Sequence, residues 1–245
     1  MFTLTVHVLP IAQLNPLTAT TCSGSTFTVS PSAANGILPA GTQYTWTEPT
    51  GAGVTGGVSQ TTPVNSITGT LQHANSGTLT ATYTISPKTG SCVGPDVTLV
   101  VTILPKPALA TLSTSICTGI TFTVSPNDGT DGIVPMSTTY TWTAPGGTGF
   151  SGGAAQATGV GSITGKLFTT SAAPATATYL VTPTAANCTG EVFTVFVQVK
   201  PQPVISLMST TICSGATYQF SPANGTNGIV PDGTLYSVWD GATWL

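Results

Sequence analysis

The sequence predicts an all-β chain, built as a tandem of two-layer β-sandwich repeats of about 95 residues each. Three observations predict it. Whole phrases of the sequence recur at one fixed step. Within each copy, short alternating apolar runs are separated by Gly- and Pro-containing turns. And Glu, Lys, Gln and Arg are too rare to build amphipathic helices, while Thr and Val abound beside 28 Gly and 19 Pro.

The repeat rests on many coincident positions. Cys22, Cys117 and Cys213 stand 95 and 96 residues apart, each followed in a Cys-x-Gly phrase by Gly24, Gly119 or Gly215. Next come Phe27-Thr28-Val29-Ser30-Pro31, Phe122-Thr123-Val124-Ser125-Pro126 and Tyr218-Gln219-Phe220-Ser221-Pro222. Gly36-Ile37-Leu38-Pro39 matches Gly132-Ile133-Val134-Pro135 and Gly228-Ile229-Val230-Pro231. Tyr44, Tyr140 and Tyr236 keep a step of 96, as do Trp46 and Trp142, Ser66-Ile67-Thr68-Gly69 and Ser162-Ile163-Thr164-Gly165, Tyr83 and Tyr179, and Cys92 and Cys188.

In the second copy, taken in order, the strand runs are 121–125, 138–143, 162–168, 175–182 and 192–199. An early strand near the cysteine and a short one in the middle complete about seven. Alternation sets Ala177, Tyr179 and Val181 on one face, and Phe193, Val195, Val197 and Val199 likewise. The glycine-rich stretch 144–149 reads as a loop. About seven strands in about 95 residues is the size of an immunoglobulin-like sandwich. Trp46 and Trp142, with Tyr44 and Tyr140, are expected as core aromatics between the sheets.

The ends follow from the same step. Phe2, Leu4, Val6, Val8 and Pro10 correspond to Val97, Leu99, Val101, Ile103 and Pro105, so residues 1–10 read as the last strand of a truncated repeat. Two complete repeats are expected at 11–107 and 108–204, and 205–245 as the truncated start of a further one. Register fails after Tyr236, because Trp239 lies three residues beyond it where Trp46 and Trp142 lie two beyond theirs.

These phrases together resemble the PKD-like (immunoglobulin-like) tandem repeats of large secreted bacterial surface and adhesin-type proteins. The resemblance is carried by Cys-x-Gly before Phe-Thr-Val-Ser-Pro, by Tyr-Thr-Trp-Thr, Ser-Ile-Thr-Gly and Ala-Thr-Tyr, and by a closing strand ending at Lys106-Pro107 or Lys200-Pro201. It spans nearly the whole chain. The Trp-x-Phe-Gly-Asp-Gly signature of PKD domains proper is absent from both complete copies, which sets the kinship on the PKD-like branch. The resemblance implies a spacer or adhesive module in an extracellular array.

Composition excludes several functions. Only 4% of residues are charged, against about 25% in ordinary domains. Four lysines (Lys88, Lys106, Lys166 and Lys200) and no arginine make no phosphate-binding patch, so nucleic acid is set aside. No apolar run approaches the roughly 18–20 residues of a spanning helix. His7 and His73 are the only histidines, and each is expected on the solvated surface; the second copy has none, so no Ser-His-Asp arrangement can form there. Glu48, Asp96 and Glu191 have no partner carboxylates in the pattern for glycoside hydrolysis. No enzyme and no cofactor is expected.

Five cysteines recur in pairs: Cys22 with Cys92, Cys117 with Cys188, and Cys213 awaiting a mate. In a secreted sandwich they read as one disulfide per repeat, the other reading being two buried thiols. The weak metal candidate is Asp128 with Asp131, in the turn Asn127-Asp128-Gly129-Thr130-Asp131-Gly132; the equivalents in the other copies lack carboxylates, which favours a plain turn. Phe196 alternates away from the core and is expected exposed. Asn187 and Asn224 head formal glycosylation sequons.

The expected role is a non-catalytic structural or adhesive repeat region at the cell surface or outside the cell. Pro-containing links at 104–107 and 199–203 would act as stiff spacers. The alternative is a carbohydrate- or protein-binding accessory module of a larger secreted enzyme, with contacts on loops 48–60 and 144–155. Expected partners are neighbouring repeats of the same chain and a surface glycan or protein ligand.

Overall fold

The computed structural model describes residues 2–5, 8 and 10–237. It is β-structure throughout, with one short 3₁₀ turn at Ala33–Asn35. Two immunoglobulin-like sandwiches follow one another with the same topology. In the first, one sheet runs Leu17–Cys22, Val97–Leu104, Leu79–Thr89, Thr42–Trp46, Gln60–Val64, with Cys92–Val93 folded back on Leu79–Thr89. The facing sheet is Thr26–Val29, Ile67–Gln72 and Thr55–Gly56. In the second, the order is Leu112–Cys117, Phe193–Lys200, Ala175–Ala185, Thr139–Trp142, Gln156–Val160, with Cys188–Thr189 on Ala175–Ala185. Thr121–Val124, Ile163–Phe168 and Ser151–Gly152 face it.

One pairing in each sandwich is parallel. Leu17–Cys22 lies beside the closing strand with Leu17 opposite Leu99 and Cys22 opposite Leu104. Leu112–Cys117 repeats this, with Cys117 opposite Lys200. Everything else in these sheets is antiparallel, Val97–Leu104 against Leu79–Thr89 included.

The cores obey the period of two. Along Phe193–Lys200, buried Phe193, Val195, Val197 and Val199 alternate with more exposed neighbours, and Ala177, Tyr179 and Val181 are fully buried on the strand beside them. Residues pointing inward from both sheets fill the space between, as the sandwich requires. In the first core Phe27 meets Tyr83 edge-on at 5.7 Å, and in the second Phe122 meets Tyr179 at 5.4 Å. Each pair sits over the glycine that ends the Ser-Ile-Thr-Gly phrase. A Cβ on Gly69 would lie 2.7 Å from Tyr83 Oη and 2.9 Å from Phe27 Cε1; one on Gly165 would lie 2.8 Å from Phe122 Cε1. The glycine is there to admit the rings.

The chain divides into two compact units. One comprises Met1–Ala108 together with Asp128–Thr138 and Thr184–Gly190; the other comprises Leu109–Asn127, Thr139–Pro183 and Glu191–Leu245. The first unit thus takes in two segments that belong, by sequence, to the second repeat.

At the start of the chain, residues 2–5 hold no strand, and Phe2 and Leu4 are exposed, so the expected last strand of a preceding repeat is unpaired there. A strand needs a neighbour to satisfy its backbone, and the neighbour in the two sandwiches is the long strand ending at Thr89 or Ala185. Beyond residue 203, strand pairing among the described residues is confined to Val204–Ile205 with Gly228–Ile229. His7 and the tail from Trp239 onward lie outside the described residues.

Candidate functional site

Trp46, Trp142, Tyr44 and Tyr140 are buried between the sheets. Each indole donates its one hydrogen bond to a loop carbonyl: Trp46 Nε1 to Val58 at 3.0 Å, Trp142 Nε1 to Ala154 at 3.0 Å. A ring enclosed in this way anchors its loop and presents no face for sugar stacking. Phe196 is exposed by 41%, in a shallow depression with Ser113, Ser115 and Gln198.

His73 is not a freely solvated side chain, contrary to expectation. It is half-buried, and its Nε2 lies 3.1 Å from the Ile103 carbonyl while its Nδ1 accepts from Asn75 N–H at 3.2 Å. Its backbone is clamped by Ser23: His73 N–H donates to Ser23 Oγ at 2.9 Å, and Ser23 Oγ–H donates to the His73 carbonyl at 3.0 Å. The second repeat builds the same clamp without an imidazole. Thr169 N–H donates to Thr118 Oγ1 at 2.8 Å, Thr118 Oγ1 donates back to the Thr169 carbonyl at 3.2 Å, and Thr169 Oγ1 accepts from Ser171 N–H. Histidine and threonine exchange here because each offers an acceptor to a turn N–H two residues on. The role is a loop anchor.

Asp128 also works within the backbone. Its carboxylate accepts from Val134 N–H at 2.9 Å and from Ser76 Oγ–H at 2.5 Å, a residue of the first repeat's 73–78 turn. The Ser76 hydrogen bond, then that of Val134, holds its carboxyl below the usual carboxylate range. In the third copy Asn224 Oδ1 accepts from Val230 N–H at 3.1 Å, so an uncharged amide shapes the same turn. Among the described residues, no three His, Cys, Asp or Glu side chains come together as a metal set.

The cysteine pairing differs from one bond per repeat. Cys22 is bonded to Cys188, with their Cα atoms 5.6 Å apart and a sequence separation of 166. Cys92, Cys117 and Cys213 are free thiols. The parallel register explains why. Cys22 sits opposite Leu104, at the far end of the closing strand, whereas Cys92 sits on a hairpin with Thr89, ahead of Val97 at the near end. Seven residues of strand at about 3.3 Å each hold the two ends roughly 23 Å apart, and a disulfide needs Cα atoms within about 7 Å. Cys117, opposite Lys200, and Cys188, on the hairpin with Ala185, are separated in the same way. The bond that does form lies within the first compact unit, to which Cys22 and the hairpin Thr184–Gly190 both belong. Closing a loop of that length stabilises the fold by about 5 kcal/mol in the chain-entropy treatment.

The hairpin turn itself uses Ala186 and Asn187 at φ 47° and 66°, the left-handed pair of a tight two-residue connection. Asn187, head of one sequon, is therefore at the turn. Asn224, head of the other, has its side-chain oxygen engaged with Val230. Among these groups there is a staple, two loop clamps and a turn cap; none is a nucleophile set beside a base.

A family model of the PKD-like domain matches the chain twice, over residues 19–107 and 113–203. The chain belongs to the PKD-like domain family. Such repeats are typically non-catalytic modules, and in tandem they are typical of adhesion and spacer regions. Nothing among curated proteins matches the sequence. Solved structures similar to it include SporoSAG from Toxoplasma gondii, 11% identical over 79% of this chain and all of that one, with a TM-score of 0.27. The insect immune protein hemolin is 14% identical over 83% of this chain and 55% of its own (TM-score 0.31). Sidekick-1 immunoglobulin domains 1–4 are 12% identical over 77% and 46% (TM-score 0.29).

Within this PKD-like pair, sequence reasoning missed the staple, the clamps and the Ser76–Asp128 bond. The clamp positions, Ser23/Thr118 and His73/Thr169, are offset by the repeat step but differ in residue type, so identity matching passes over them. Among the described residues, no helix is long and apolar enough to cross a membrane.

Proposed function

We propose that this chain is a stiff spacer or adhesion segment of a secreted or cell-surface protein, projecting a binding end away from its anchor. The observation that supports this best is the Cys22–Cys188 disulfide, which ties a strand of the first repeat to a hairpin of the second. Disulfides of this structural kind persist outside the reducing cytosol. A bond spanning two repeats resists extension where a bond inside one repeat would leave the link between them free to stretch. The Pro105/Pro107 and Pro201/Pro203 links add restricted backbone on either side of each boundary.

Single-molecule stretching of the whole chain tests the reading. With the disulfide intact, the 166-residue span between the cysteines stays hidden from the pulling force; reductant releases it, adding about 58 nm of contour at roughly 3.5 Å per residue. The expected record is discrete unfolding events that reach the extra length only after reduction. A chain that extends smoothly at low force, with no such events, rejects a mechanical role. Binding of the same protein on a glycan array would favour the ligand-binding module instead, with loops 48–60 and 144–155 as the place to map contacts.

A further inference from the structure

The two cysteines of each PKD-like repeat occupy opposite ends of its sandwich, and only one of each kind is bonded here. Cys22 is the first-type cysteine of repeat one, and Cys188 the second-type cysteine of repeat two. From this we infer that the bond is one instance of a repeating staple, in which the first cysteine of every repeat joins the second cysteine of the repeat that follows it. Cys117 is then the half-cystine for the hairpin of a following repeat, and Cys92 for the opening strand of a preceding one; Cys213 belongs with Cys117. The partner is a further PKD-like repeat carrying the same hairpin.

Three observations beyond the thiols themselves support this. First, the surroundings of Cys117 reproduce those of Cys22. It has the same parallel register against the closing strand, and the adjacent Thr118 makes the same clamp to Thr169 that Ser23 makes to His73. Second, burial differs between equivalents, the bonded cysteine of each kind being the more covered. Cys188 is 1% exposed and Cys22 half-buried, while Cys92 is half-buried and Cys117 exposed. Third, Lys200, the register partner of Cys117, lines an open cleft with Ala172, Pro174, Asn224 and Asp232. In the first unit the matching turn residues, Ser76 and Asp128, are hydrogen-bonded to each other, and the cysteine hairpin Thr184–Gly190 is part of that unit.

Bond formation needs an oxidant of the disulfide class, such as oxidised glutathione or the disulfide of an oxidoreductase. The Cys117 thiolate attacks the donor disulfide and expels one thiol; the incoming cysteine's thiolate then displaces the second. One S–S bond is made and one broken, and the two protons and two electrons lost by the cysteines leave on the two donor thiols. The staple requires only the cysteine geometry, and holds whether or not the array acts as a spacer.

The test keeps the full chain and duplicates residues 108–203 in place, so that a further complete repeat follows the second through its own Pro-containing link. The duplication adds two cysteines to the five present. After refolding in a glutathione buffer, a staple between Cys117 and the second cysteine of the added repeat leaves three free thiols, the same number as in the parent chain. Disulfide mapping should recover that bond beside Cys22–Cys188. Five free thiols, or bonds within repeats, would overturn the proposal. If the longer chain fails to fold, the parent chain oxidised at high concentration provides the second measurement. Cys117–Cys92 links between copies should then exceed Cys117–Cys117 and Cys92–Cys92 by well over the roughly twofold excess that random pairing of two thiols gives; an excess of about twofold or less is the contrary result.

Discussion

Tyr83 and Tyr179 show how a repeated residue reports on the core. Both side chains are fully buried, and among the described residues neither hydroxyl has a hydrogen-bond partner. A buried donor without a partner costs about 1–3 kcal/mol, so the ring is what the position needs. Replacing both by Phe keeps the edge-on contacts with Phe27 and Phe122 and removes the unsatisfied groups. The melting temperature of the double variant Tyr83→Phe, Tyr179→Phe should equal or exceed that of the parent; a clear fall would mean that the hydroxyls are satisfied. Burial also pushes the Tyr179 hydroxyl up to about 12, from an ordinary value of 10.0, and raises Tyr83 in the same direction. A raised folded value means that the unfolded chain releases the proton first. The stability this contributes is complete below pH 10 and is lost as pH rises toward 12. Melting curves across that window should fall more steeply for the parent than for the double variant.

At the scale of elements, the strands were legible and their neighbours were not. Period-two burial in 192–199 and 175–182 follows directly from which residues are apolar, and the strands Phe193–Lys200 and Ala175–Ala185 lie where those runs predict. Alternation says which face of a strand is inward and nothing about which strand lies beside it. The parallel pairing of Leu17–Cys22 with the closing strand was therefore invisible, and with it the distance that separates Cys22 from Cys92. The Ser-Ile-Thr-Gly phrase was legible as a repeat marker, but its cause appears only when Phe27 and Tyr83 are seen over Gly69. Gly69→Ala should destabilise the first sandwich by about 1–3 kcal/mol, because the added methyl meets two packed rings. Gly161→Ala, where nothing lies within 4 Å, should change stability by less than about 0.5 kcal/mol. Chemical denaturation of the two variants separates packing from backbone freedom, since equal losses at both positions would leave the rings irrelevant.

At the scale of the whole molecule, what sets apart the segment after residue 203 is what covers it. Its residues repeat the opening of the earlier copies almost word for word, yet Tyr218 is 46% exposed where Phe27 and Phe122 are 5% and 2%. Phe27 and Phe122 owe their burial to strands that come later in their own repeats, the tyrosine strand and the glycine strand that pack over them. No counterpart of those strands exists in residues 205–237. Local sequence thus carries the turns, as the Asn224–Val230 bond shows, while the core is supplied from far along the chain. A segment with turns and no covering strands has little to protect its amides. Hydrogen exchange should therefore be fast over 206–237 and slow along Leu79–Thr89, Val97–Leu104, Ala175–Ala185 and Phe193–Lys200. The exposed Tyr218, Phe220 and Tyr236, which cluster at ring distances of 6.4 Å and 6.0 Å, should make this segment the first to associate at high concentration. Exchange over 206–237 as slow as in the two sandwiches would mean that three aromatic rings and a pair of two-residue strands suffice to hold the opening of a repeat on their own.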